Sequence, residues 1–294
     1  MKLPPFGYAA PDTLQEVVSL KSAHGDDALC LAGGQSLVPL LALRHVSPAQ
    51  LIDLNGVDEL NYVREVEGML VLGAMTRHRA VERNQQLASR APVLADAVPL
   101  IGYRAIRNRG TVGGSVAHAD PTAEWPGLVV LLDGAVVAAS LRGTRVIEAS
   151  EFFEAPFRNA LAPDEILCEV RLVLPAPRVG SAFVEFSPRR GHYALAAVGA
   201  TLELDGDERV AQARIALLGV AATPVRARVA ERSLVGEPLV EETLRVAAAS
   251  CRDGLEPPGD VHAPPAYRLH LVEVLARRAL RLAGERAGER RSRE

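Results

Sequence analysis

Apolar and polar positions follow two different periods along this chain, and each change of period marks out an element. Thr13 and Glu16 make a capping-box pattern that opens a helix running to about Ala23 and stopping at His24-Gly25. Residues 28–32 form a short apolar run suited to a buried strand, and Ala32-Gly33-Gly34-Gln35-Ser36 follows directly. Leu37, Leu40, Leu41 and Leu43 predict a short helix, and residues 50–54 a second strand. Two β-rich runs between Leu60 and Gly73 flank Glu67-Gly68, a hairpin turn. Helices are expected over 76–87, 92–101 and 121–132, with strands around 136–139 and 145–147.

The segment Leu172-Val173-Leu174-Pro175-Ala176-Pro177 reads as a linker, because closely spaced prolines end a strand and stiffen the crossing. Beyond it, β-type runs at 182–186, 196–204 and 213–220 precede helices near 225–235, 241–251 and 267–282. Strands followed by helices predict a separate α+β domain. The charged tail, 284–294, is expected to be disordered.

Composition removes several function classes. A net charge of −3 over 294 residues argues against nucleic acid, which calls for a basic stripe. No apolar run reaches the length of a membrane span and no signal peptide precedes the first helix, so a cytoplasmic location is expected. Cys30, Cys168 and Cys251 are too scattered for a disulfide framework or a cysteine-ligated cluster, and the histidines show no metal spacing. There is no G-x-S-x-G elbow either. The expectation is a chain with no metal site of its own and no recognisable hydrolase elbow.

The chemistry rests on glycine pairs. A second one lies in Thr111-Val112-Gly113-Gly114-Ser115. Without a Cβ, successive amides can turn toward one point and form an anion-binding nest. Two nests, with Gln35 and Ser115 as extra donors, suit the two sides of a diphosphate and hence a dinucleotide cofactor. Neither pair fits the G-x-G-x-x-G fingerprint, and no G-K-[ST] is present, so a Rossmann site and a P-loop are disfavoured. Valine at Gly34 or Gly114 is expected to leave a folded chain with little cofactor.

Three stretches carry a resemblance: Ala32-Gly33-Gly34-Gln35-Ser36-Leu37, then 106–115 (Ile-Arg-Asn-Arg-Gly-Thr-Val-Gly-Gly-Ser), then 118–124 (His-Ala-Asp-Pro-Thr-Ala-Glu). They resemble the FAD-binding medium subunit of molybdenum hydroxylases, the family of carbon monoxide dehydrogenase medium chains and the xanthine dehydrogenase flavin domain. The resemblance implies an α+β fold. A two-lobed FAD domain of the vanillyl-alcohol-oxidase (PCMH) type would span 1–176, with lobes of about 1–56 and 57–176, and a smaller α+β domain 177–283.

It also implies non-covalent FAD, with its pyrophosphate cradled by 32–36 and 111–115, and with Leu37, Asp120, Glu124 and Tyr193 among the cofactor contacts. Asp120 has a competing local role as cap of a helix starting at Pro121. Tyr193 is either stacked on the flavin ring or an ordinary interfacial tyrosine. The chain departs from the family at Glu185 and His192, where relatives often carry lysine and aspartate.

The function implied is electron transfer within a multi-subunit molybdenum hydroxylase. A small [2Fe-2S] subunit and a large molybdopterin subunit would be the partners, and NAD or a quinone the acceptor. A self-sufficient NAD(P)H-dependent flavin reductase, an architectural subunit without cofactor and a generic nucleotide-binding module stay open as alternatives.

Overall fold

The computed structural model describes residues 2–291. They divide into two compact units that interleave along the sequence. Unit 1 takes 1–80, 104–119 and 134–173; unit 2 takes 81–103, 120–133 and 174–294.

Unit 1 contains two sheets. In the first, Gly7–Ala9 (β1), Ala28–Leu31 (β2) and Gln50–Asp53 (β3) lie parallel in the order β1-β3-β2. Helix Leu14–His24 (α1) precedes β2. Thr13 caps it by accepting from the Glu16 amide at 3.3 Å, while the Glu16 carboxylate reaches back to the Asp12 amide at 3.1 Å. The second sheet is antiparallel. It contains Val63–Val66 (β4), Met69–Gly73 (β5), Ala135–Ser140 (β6), Gly143–Glu148 (β7) and Ile166–Val173 (β8), ordered β4-β5-β8-β6-β7. Glu67 and Gly68 both have positive φ, 51° and 78°, which gives the β4–β5 hairpin the twist of a primed turn. Val17, Val18, Ile52, Leu54, Leu60, Val137 and Ile166 share one buried cluster.

Unit 2 is built on an antiparallel sheet of Gly180–Phe186 (β9), Ala196–Leu204 (β10), Val210–Leu218 (β11) and Val225–Arg226 (β12), in that order. The long C-terminal helix, Pro265–Arg291, buries Val272, Ala276, Ala279, Leu280 and Ala283 in the same cluster as Val198, Ala200 and Leu202 of β10.

Four local expectations are corrected. The helix expected over 76–87 starts at His78 and breaks at Asn84, whose side chain accepts from the Leu87 amide at 3.1 Å and starts another helix. The helix expected from 121 begins only at Glu124. The stretch from 225 opens as the short strand β12 before helix Arg228–Leu234. Residues 284–291 of the supposedly disordered tail continue the C-terminal helix, while 292–294 lie outside the described residues. The charges there mask a buried stripe. Ala283 and Ala287 are one turn apart and fully buried, and a Cβ on Gly180 would overlap the Ala283 carbonyl oxygen. Arg286 fastens this turn to Asp96 at 2.5 Å and to the Ser181 carbonyl at 2.6 Å.

Candidate functional site

Leu31 ends β2, and the chain turns through Ala32–Ser36 before Leu37–Ala42 winds as helix α2. Gly34 has φ +71°, the left-handed region where a side chain is strained. The carbonyls of Gly34 and Ser36 accept from Val38 and Leu40, both at 3.1 Å. The amides of Gly33, Gly34, Gln35 and Ser36, by contrast, donate to no group among the described residues. Polar backbone groups of this kind normally find a partner in protein, water or ligand. The Gln35 side chain, expected to face a ligand, donates instead to the Gly33 carbonyl at 3.0 Å and stiffens the turn.

The second glycine pair is not a loop. Arg104–Arg109 forms helix α3, and Val112–His118 forms helix α4, with Gly113 and Gly114 in its first turn. Thr111 is its N-cap, accepting from the Gly114 amide at 3.1 Å. Val112 donates to Thr76 O and Gly113 to Ala74 O, both at 2.9 Å, and Ser115 to Thr111 O at 3.1 Å. All four amides from 112 to 115 are therefore satisfied inside the protein, and the second nest expected from sequence is corrected.

These glycines serve packing. A Cβ at Gly113 would lie 2.7 Å from Ala74 Cα and 2.8 Å from its oxygen. A Cβ at Gly114 would come within 3.4 Å of Ala32 Cβ, and one at Gly33 within 2.7 Å of Gly110 Cα. The two segments expected to face one ligand thus meet, at Gly33 through a contact with residues 109–110 that only glycine permits and at Gly114 through ordinary packing on Ala32. A Cβ at Gly34 would point toward Val38 and Leu31, at 3.2 and 3.3 Å. A larger residue there acts by turning the peptide, not by filling ligand space.

A polar network that the sequence reading missed surrounds this junction. Asp53 accepts from the Tyr8 hydroxyl at 2.5 Å, from the Asn55 amide at 2.9 Å and from Asn55 Nδ2 at 2.5 Å. Asn55 Nδ2 also reaches the Ala32 carbonyl at 3.1 Å. Arg77 donates to Asn55 Oδ1 at 2.6 Å and to the Arg109 carbonyl. Burial works to raise the Asp53 pKa, but the bonds from Tyr8 and Asn55, with the charge of Arg109, hold it below the usual carboxylate range. The signal available in sequence was Asp53-Leu54-Asn55-Gly56, a turn of the kind Asp and Asn favour. Beside the network, burial and the charges of Arg107 and Arg77 push His78 down to about 3, so its ring is neutral at physiological pH. It packs where a Gly110 Cβ would be, 2.7 Å from its Cδ2.

Asp120, Glu124 and Tyr193 fall in unit 2. Asp120 does not cap the following helix. Its carboxylate accepts from the Thr122 amide at 2.8 Å and the Thr122 hydroxyl at 2.6 Å, a local turn ahead of Glu124–Leu131, helix α5. Tyr193 is 65% exposed. Partial shielding of the phenol, then the carboxylates of Asp120 and Glu124, raise its pKa, so the three share one neighbourhood. His192 closes a turn on the Arg189 carbonyl at 3.0 Å. Burial raises Glu185 to about 7 against a weaker opposing bond from Ser187, and its Oε2 is buried without a hydrogen-bond partner. His118 lies against Phe157, ring centres 5.1 Å apart. Among the described residues no group of three His, Cys, Asp or Glu side chains could hold a metal ion, and no helix is long and apolar enough to cross a membrane.

Residues 4–176 match the FAD binding domain in molybdopterin dehydrogenase, and residues 181–283 the CO dehydrogenase flavoprotein C-terminal domain. The chain is 37% identical to the 6-hydroxypseudooxynicotine dehydrogenase complex subunit alpha of Paenarthrobacter nicotinovorans, covering 98% of this chain and 97% of that one. It is 33% identical to the carbon monoxide dehydrogenase medium chain of Hydrogenophaga pseudoflava, covering 96% and 98%. Among solved structures, a chain of quinoline 2-oxidoreductase from Pseudomonas putida 86 superposes with a TM-score of 0.93 at 38% identity, over 98% of this chain and 99% of that one.

Proposed function

The chain belongs to the family of FAD-binding medium subunits of molybdenum hydroxylases, and on that premise we infer that it is the electron-transfer flavoprotein subunit of such an enzyme. The observation that carries this reading is the set of amides from Gly33 to Ser36 without acceptors among the described residues, in a turn where Ala32 packs on Gly114. An anionic diphosphate fits that donor set. FAD, when bound, takes up electrons singly and gives them up in pairs; the chain supplies position and electrostatics.

The roles divide accordingly. Gly33, Gly34, Gln35 and Ser36 present amides to the diphosphate, and Leu37 anchors the turn as the start of α2. Thr111, Val112, Gly113, Gly114 and Ser115 back the first segment by close packing on Ala74 and Ala32, and any direct contact they make with the cofactor rests on the resemblance. Asp120 and Glu124 accept from cofactor hydroxyls, and Tyr193 stacks on or screens the flavin; these three assignments rest on the resemblance. No residue of this chain acts as acid, base or nucleophile. The iron–sulfur clusters and molybdopterin belong to a small and a large partner subunit, NAD or a quinone is the final acceptor, and the location is cytoplasmic. The working domain boundaries are 1–176 and 177–283.

Purified full-length chain, alone and co-expressed with its partners, is expected to show a flavin absorption spectrum, with FAD released on mild denaturation. Gly34→Val is expected to stay folded by circular dichroism and lose most of that FAD, because leaving φ +71° re-aims the amides. Folded wild-type chain that stays colourless with excess FAD, alone and in complex, would sink the reading.

A further inference from the structure

We propose that Arg109 is the cationic partner of the bound diphosphate, held at the junction of the two glycine segments by an Arg77–Asn55 clasp. The inference rests on the FAD reading above. A diphosphate carries a double negative charge, while backbone amides offer only partial positive charge. With the amides of 112 to 115 already spent internally, the first segment alone cannot neutralise such a ligand. A full charge must come from a side chain.

An exposed arginine is ordinary; the placement of this one is not. Its carbonyl lies where a Gly33 Cβ would be, so its backbone is as close to the first segment as two chains can come. That carbonyl is gripped by Arg77, whose other guanidinium nitrogen holds Asn55 Oδ1 at 2.6 Å. Asn55 in turn holds the Ala32 carbonyl at 3.1 Å. The clasp therefore locks residue 109 to residues 32–33 from both sides. Arg77 commits both terminal nitrogens in doing so, whereas the Arg109 guanidinium makes no hydrogen bond among the described residues and feels Asp53 only through space. Two guanidinium groups sit close enough for Arg109 to depress the Arg77 pKa, after burial the largest cause. Asp53 is the one carboxylate acting on both arginines, so it offsets only part of this charge, and two cations against one anion beside amides without acceptors leave room for a further anion. Arg109 can also offer two parallel N–H donors to phosphate oxygens.

The test uses full-length apoprotein titrated with FAD, ADP and riboflavin, the last lacking any phosphate, at low and high salt. Arg109→Gln is expected to weaken FAD and ADP about tenfold and to leave riboflavin unchanged. Its FAD affinity should also respond less to salt than that of the wild type, because one screened attraction is gone. Arg109→Lys should restore most of the FAD affinity. FAD binding by Arg109→Gln with wild-type affinity and salt response would overturn this inference alone. A wild-type chain that binds no FAD would overturn the FAD reading, and this inference with it.

Discussion

The two glycine pairs look alike in sequence and do different work. Gly33-Gly34 sits in an open turn with one left-handed residue and four amides that donate to no acceptor among the described residues. Gly113-Gly114 sits in the first turn of a capped helix, its two amides consumed by the Ala74 carbonyl and the Thr111 hydroxyl. The first pair is about what the backbone offers outward. The second is about how closely two pieces of backbone can pack. The same dipeptide thus supplies conformational freedom at one place and missing volume at the other.

This contrast can be broken most decisively at Gly113. Valine there would drive its side chain into the Ala74 backbone, which cannot yield as a flexible side chain would. Overpacking of this kind against main chain is expected to cost about 3 kcal/mol or more. Gly113→Val should give low soluble yield or a sharply lowered midpoint in denaturant. A stable Gly113→Val chain that merely lost FAD would show that the second pair faces the ligand after all.

A pH experiment probes the same junction. His78 is neutral in the fold, with its pKa lowered to about 3 from an unfolded value near 6.5. Its contribution is complete above pH 6.5 and is lost as pH falls from there toward 3, by about 1.4 kcal/mol per pH unit. Wild type should therefore lose stability relative to His78→Gln across that window. Parallel curves for the two proteins from pH 7 to 4 would mean the imidazole is not held neutral beside Gly110.

The smallest effect is expected at Thr111. Removing its hydroxyl by Thr111→Val frees the Gly114 amide, at about 1 kcal/mol of stability. If the second segment only packs, FAD affinity of the folded variant should change far less than that of Gly34→Val. Equal losses of FAD in the two variants would restore the idea of paired nests.

Much of this was legible from local pattern. The capping box at Thr13, the hairpin at Glu67-Gly68 and the strand over 196–204 emerged as read, because each depends on neighbours within one turn or one pleat. The C-terminal tail was misread for the opposite reason. Its arginines and glutamates look solvated, yet Ala283 and Ala287 meet Gly180 more than a hundred residues away. The capping role open to Asp120 is not taken up, although Asp-Pro is a strong local signal, because Thr122 claims the same oxygen.

By itself the sequence determined most of the order of elements, the family and the glycine turn at 32–36 as a candidate anion site. Those depend on periodicity, capping and motif spacing, which are properties of short stretches. The tertiary structure decided which amides remain available, why each glycine is a glycine, and that Tyr8, Asp53, Asn55, Arg77 and Arg109 belong to one junction. A hydrogen-bond donor is free or spent only relative to acceptors brought close by folding. No reading of the residues on either side of Gly113 could have found Ala74 beneath it.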